Sequence, residues 1–176
     1  TVRLDHGVAE FDLPHRVRAV LEAPATMTLM DERTVQLSRG RGFFEVASPE
    51  GHGFTVETPH QRIIDLGTAF GVDLPAGSEQ TRLHVFSGSV RIEDLGAEGS
   101  GEVIRAPLSV AIRGAQVVKQ IDQTADHFRR QLPDRVETLF VEDFESGLLA
   151  EKEYAVHMDS TAIRDLDGNQ YAGIPA

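Results

Sequence analysis

From Val2 to Arg113 apolar and polar residues alternate with the two-residue period of β-strands. Runs such as Ala9, Phe11, Leu13, then Val17, Ala19, Leu21, then Met27, Leu29 place their apolar members on one face, which predicts half-buried strands. The longest run is Ile64, Leu66, Thr68, Phe70, Val72, and its opposite set, Asp65, Gly67, Ala69, Gly71, Asp73, is mostly small. Small side chains on that second face let a neighbouring layer or loop approach closely. Pro75 and Gly77 within residues 74–80 predict a hairpin turn between two antiparallel strands, while Ser48–Gly53 and Glu93–Gly101 read as polar loop tips. After Arg113-Gly114 the alternation stops. Asp122 or Thr124 can cap a short helix through Ala125, Phe128 and Leu132, which Pro133 ends. Val136–Phe144 then reads as a strand, with Ser146-Gly147 as a turn.

A longer regularity overlies the alternation. Leu4-x-x-Gly7-x-Ala9-x-Phe11 is followed by Leu21-Glu22-Ala23-Pro24, Leu37-x-x-Gly40-x-Gly42-x-Phe44 by Val56-Glu57-Thr58-Pro59, and Val85-x-x-Gly88-x-Val90-x-Ile92 by Ile104-Arg105-Ala106-Pro107. Glycine and proline lie 17, 19 and 19 residues apart. A β unit of this size cannot cover its own apolar face, so three copies predict successive windings that share one interior, with glycine and proline at the corners.

Composition narrows the function more by exclusion than by indication. The chain has 176 residues, 40% hydrophobic and 26% charged, enough for one domain with additional structure. Its apolar runs are shorter than the ~18 residues that a membrane helix needs. Cysteine is absent, which removes disulfides, thiolate metal sites and cysteine nucleophiles. The net charge is −11, and the fifteen arginines and two lysines are scattered, so the chain lacks the clustered cations of a nucleic-acid surface.

Candidate chemistry is sparse. The seven histidines show no metal-ligand spacing, and His52 and His60 fall on different elements. Asp165-Leu166-Asp167-Gly168-Asn169 resembles a calcium loop, but its glycine comes too early and no glutamate closes it, so it reads as a turn. Ser87 and Ser89 flank Gly88 without the elbow of a serine nucleophile. Adjacent acids such as Glu93-Asp94 and Glu142-Asp143 point apart in a strand, and without tryptophan no aromatic platform supports a sugar. Glu93-Asp94 reads as a charged loop. Arg16, Arg18, Arg39, Arg41 and Arg62 read as solvated protection of exposed strands. The expectation is a protein with no catalytic, cofactor or metal site.

Gly53-Phe54-Thr55-Val56-Glu57-Thr58-Pro59, then Ile64-Asp65-Leu66-Gly67-Thr68-Ala69-Phe70-Gly71-Val72, then Leu83-His84-Val85-Phe86-Ser87-Gly88-Ser89-Val90 resembles the linked motifs of the FecR family over roughly residues 2 to 113. That resemblance implies an all-β fold, stacked short strands as a β-solenoid-like or rolled two-layer sheet, with a short helix after the β domain. It implies Thr58, Pro59, Leu66, Gly67, Thr68, Phe70 and Gly88 as structural motif residues. The expected layout is a FecR-like β domain over 1–116, a helical linker over 117–133, and over 134–176 a docked tail or the start of a second domain. Leu139–Gly147 resembles the first strand of a laminin-G or concanavalin-like domain. The implied function is a non-catalytic, periplasmic or cell-surface signalling and protein-interaction module of the anti-sigma-regulator type. Its partner is a protein, with a membrane anchor outside this stretch. The alternative is an adhesion module supporting a glycan-binding lectin-like domain.

Overall fold

The computed structural model describes residues 1–96, 99, 101–121 and 125–132, together with the backbone of two later strands. In chain order the strands are β1 Val2–Leu4, β2 Val8–Leu13, β3 Val17–Leu29, β4 Thr34–Val46, β5 Thr55–Glu57, β6 Gln61–Asp65, β7 Ala69–Leu74, β8 Thr81–Ser87, β9 Ser89–Asp94, β10 Gly101–Arg105, β11 Leu108–Arg113, β12 Gln116–Gln120, β13 Val136–Glu142 and β14 Tyr154–Asp159. All fourteen belong to one sheet.

That sheet is neither a solenoid nor two stacked layers, which corrects the expected architecture. Windings of a solenoid pair in parallel, whereas among the described residues only β4 and β5 do so and every other pairing is antiparallel. The sheet curls into a near-barrel by the path β10-β9-β6-β5-β4-β7-β8-β11-β12. Its last strand returns beside its first: Glu102 of β10 accepts the Val117 amide of β12 at 3.4 Å, and Asp94 accepts the Ala115 amide at 2.7 Å.

Two long strands make the curl possible. β3 slips register between Glu22 and Thr26, and Gly40 of β4 lies opposite with φ +91°. A Cβ on Gly40 would stand 2.2 Å from the Pro24 carbonyl oxygen, so the two strands bend together only because residue 40 has no side chain. Before the bend β4 pairs with β5, and from Gly40 onward with β7.

Two of the three sequence copies are one structural unit. In the first, Gly7 precedes the β2–β3 hairpin with Val8 opposite Glu22 and Ala9 opposite Leu21, and its carbonyl accepts the Ala23 amide at 3.0 Å. In the third, Gly88 precedes the β9–β10 hairpin with Ser89 opposite Arg105 and Val90 opposite Ile104, and its carbonyl accepts the Ala106 amide at 3.0 Å. The middle copy is different: Gly40 sits within β4, and Val56 pairs in parallel with Val35 instead of closing a hairpin. Phe11, Phe44 and Ile92 nevertheless share one core with Leu21, Leu37, Phe70 and Leu83.

The predicted helix is absent. No helix of seven residues or more forms among the described residues, and Ala125–His127 makes a single 3-10 turn. A helix of this length is marginal alone, and here Arg41 of the sheet takes the His127 carbonyl, which a helix would have bonded to the amide of residue 131. The run predicted as one strand over 64–72 also breaks. Ile63 is buried, the chain turns at Gly67 with φ +91°, and Leu66 is 40% exposed. Alternation across residues 64–68 was therefore a coincidence of two strands and a turn. The hairpin at 74–80 forms between β7 and β8. Further on, β14 pairs with β13 and with β2. The suggested calcium loop at 165–169, the helix caps at 122 and 124, and most of the laminin-G-like stretch lie outside the described residues.

Candidate functional site: a strapped outer sheet face

Side chains of β3, β4, β7 and β8 that point away from the core form three rows across the strands. Register aligns Val20 with Phe43, Phe43 with Gly71 and Gly71 with His84, giving a middle row that is apolar apart from the imidazole. One flanking row aligns Arg18 with Glu45, and the other aligns Glu22, Arg41, Asp73 and Arg82. The expectation of a neighbour over the small face of β7 holds: residues 126–132, which begin in the 3-10 turn, lie across these rows as a strap.

Gly71 seats the strap. A Cβ there would meet the Phe128 ring at 2.6 Å, so the aromatic side chain occupies the space a side chain would have taken. Phe128 is 3% exposed, with its ring 6.1 Å from Phe86 and 6.4 Å from His84. Leu132 packs with Phe43 and Phe86 on a small apolar cluster separate from the core. The flanking rows hold the strap's backbone: Arg18 donates to the Arg130 carbonyl at 2.8 Å, Arg41 donates to the His127 carbonyl at 2.9 Å, and Glu22 accepts the Arg129 amide at 2.8 Å. His127 pairs with Asp73 at 2.9 Å.

Charge on this face is balanced locally. Arg18 forks onto Glu45 at 2.7 and 3.1 Å; burial works against its charge, but Glu45 and Glu10 outweigh it and raise its already high value. Arg41 lies 3.6 Å from Glu22 and Arg82 3.7 Å from Asp73. Beside the strap a groove of about 1130 Å³ stays open, floored by Phe43, Ala69 and Phe86, with Arg18, Glu45 and the exposed Ser87 at its sides.

The motif residues do not gather here. Thr58 is buried and accepts the amides of His60 and Gln61 at 3.2 and 3.1 Å, so with the exposed Pro59 it builds the turn between β5 and β6. Gly67, Thr68 and Gly88 meet at a second place. A Cβ on Gly88, whose φ is +70°, would stand 2.0 Å from the Gly67 carbonyl oxygen, so the two backbones cross in contact. Thr68 accepts the Leu66 amide and donates to the Ser89 carbonyl, the backbone partner that its inward position demands. Phe70 lies in the core, 5.6 Å from the Phe44 ring. Beneath the crossing, burial pushes the Asp65 carboxyl above its usual range, against the opposing hydrogen bonds from Gly67 and Thr68.

Other candidates disperse. Among the described residues no three histidine, aspartate or glutamate side chains gather in metal-binding range. Glu93 is not a loop charge: it is 2% exposed on β9, paired with Arg91 at 2.7 Å and accepting the Gly99 amide. Arg18 and Arg41, read as solvated, are strap clamps instead. Arg62 pairs with Glu57 at 2.8 Å. Phe128, His84, Phe43 and Phe86 escaped the sequence reading, though the small face of β7 was the signal for them.

The fold and this covered face define an all-β, mostly antiparallel near-barrel module. The same class of fold is found in two crystal structures of "a putative anti-sigma factor" from Parabacteroides distasonis ATCC 8503, each matched with a TM-score of 0.55 and 23% identity over 69% of this chain. The chain spans 59% of the length of that protein. Residues 22–91, which contain all three linked motifs, match the family model described as FecR protein. No curated protein matches the chain. Over residues 22–91 the chain is thus similar to the FecR family, on an all-β near-barrel whose fold it shares with those two structures.

Proposed function

We propose that the protein acts as a non-catalytic signalling module in the periplasm or at the cell surface, and that it works by docking another protein on the strapped face. The observation that carries this reading is the groove beside the strap, where an aromatic floor lies between paired charges. Aromatic and arginine side chains at the centre of a patch are the residues that supply most of the energy in protein interfaces. The charges around them fix orientation more than affinity. The neighbour described as an anti-sigma factor supports a regulatory role within this reading, with a membrane-anchored signalling protein as its setting.

A photo-crosslinking amino acid placed at Ser87, in the groove, tests the reading in cells. Capture of a discrete protein from Ser87, and none from the exposed Val118 on β12, is the expected result. Capture from Val118 alone would move the interface to the β10–β12 seam. Capture from neither position would refute a docking role for both surfaces.

A further inference from the structure

We propose that residues 126–132 are a pH-released strap: protonation of His84 lifts it from the sheet and widens the groove over Phe43 and Phe86. The inference goes beyond the docking role, and its test needs no partner.

His84 points outward from β8 yet is only 8% exposed, because the strap covers it. Its ring lies 4.2 Å from Phe86 and 6.4 Å from Phe128, and its Nδ1 is hydrogen-bonded to the Ser109 hydroxyl of β11. Over the same Phe86 ring, at 5.3 Å, stands the guanidinium of Arg130 from the strap. A neutral imidazole suits this site: it fills an aromatic cage and makes one hydrogen bond. An imidazolium would be cut off from water and would face a like charge.

The other charges around it do not rescue the cation. His127 and Arg130 face it from the strap, Asp73 stands one register row away on β7, Arg82 lies on β8 itself, and β11 contributes the neutral Ser109. Asp73 is already shared by His127 at 2.9 Å, Arg82 at 3.7 Å and Arg41 at 3.9 Å. Burial first, and Arg130 second, hold His84 below the ordinary imidazole value of 6.5. A base whose value is lowered in the closed state favours closure fully above its free value, and that contribution disappears as the pH falls below it. Closure is thus complete at pH 7.5 and weakens below 6.5.

Lifting the strap loses few core contacts. It is held by the Phe128 anchor, by Leu132 on the small cluster and by four polar pairs, while the main core lies on the other side of the sheet. Such an attachment opens locally at much lower cost than global unfolding.

Hydrogen exchange read by mass spectrometry on the whole chain, corrected for intrinsic exchange, tests the proposal between pH 7.5 and 5.0. Peptides covering 125–132 should lose protection by about tenfold for each unit by which closure depresses His84. Peptides covering β8 and β9 should keep theirs. His84→Phe retains a ring without a titrating group and should leave the strap protected at every pH; His84→Gln serves if the first variant does not fold. Gly71→Ala, which collides with Phe128, should expose the strap throughout. The proposal is overturned if wild-type strap protection is flat with pH, or if strap and core lose protection together. It is equally overturned if the pH dependence survives in both His84 variants and vanishes in His127→Asn.

Discussion

Replacing Gly88 by alanine tests the backbone crossing that ties the third hairpin to the 65–68 turn. Two costs add. A non-glycine residue at φ +70° carries about 1–2 kcal/mol of left-handed strain. The new Cβ also begins 2.0 Å from the Gly67 carbonyl oxygen, and a backbone atom cannot swing aside as the end of a side chain can. Relief requires the two segments to part by about 1 Å or more, the shortfall from ordinary van der Waals separation. That movement disrupts the Leu66 amide bond to the Ser89 carbonyl, 3.1 Å long, and the Thr68 hydroxyl bond to the same oxygen. At about 1 kcal/mol for each hydrogen bond, the total is about 3–4 kcal/mol. In a domain of this size that lowers the melting temperature by on the order of 10 °C. Far-UV circular dichroism through urea and thermal unfolding measures it. Gly77→Ala is the control, because Gly77 has φ +73° but nothing within 4 Å of its would-be Cβ, and it should cost only the strain. If Gly88→Ala and Gly77→Ala fall within 1 kcal/mol of each other, about the spread of the strain alone, the crossing contributes no stability and the reasoning is refuted.

Three further outcomes follow from the same geometry. Thr68→Val keeps the shape but removes the hydroxyl that accepts from the Leu66 amide and donates to the Ser89 carbonyl; those two groups keep their bond to each other, so it should cost only about 1 kcal/mol in urea unfolding. Asp65→Asn removes a buried charge whose folded value is raised above 3.8, so folding penalises the carboxylate once the pH rises through that folded value. Its urea midpoint should therefore exceed wild type at pH 7, with the gain shrinking as the pH falls towards 3.8. Arg18→Lys replaces a fork with a single point charge and cannot hold Glu45 and the Arg130 carbonyl together. Faster exchange of the 125–132 peptides, with core peptides unchanged, is the expected result.

What could be read from residues alone was what depends on local chemistry. Alternation located most strands, and glycine followed by alanine-proline marked two hairpins whose registers coincide residue for residue. The same marks failed around Gly40, because a glycine that opens a hairpin and one that lets two long strands bend together leave the same trace in a sequence. The phase across Ile64–Thr68 misled for a similar reason: a turn at Gly67 reset the alternation without interrupting it. Phe128 and Leu132 carried helical spacing, but Gly71, more than fifty residues earlier, determined where Phe128 went. The small face of β7 announced that something would cover it without saying what. Arg18 and Arg41 looked like solvated charges because their carbonyl partners lie 112 and 86 residues away.

The pairing of β14 with β2 has a mechanical consequence. Val156, His157 and Met158 face Phe11, Glu10 and Ala9, whereas β14 lies against β13 from Val136 to Glu142. Across the sheet, a pull on the C-terminal strands therefore reaches β2, and through it β3 and β4, by a joint shorter than the β13–β14 hairpin. With three residue pairs against six, that joint is the shorter of the two seams by which the C-terminal strands are held.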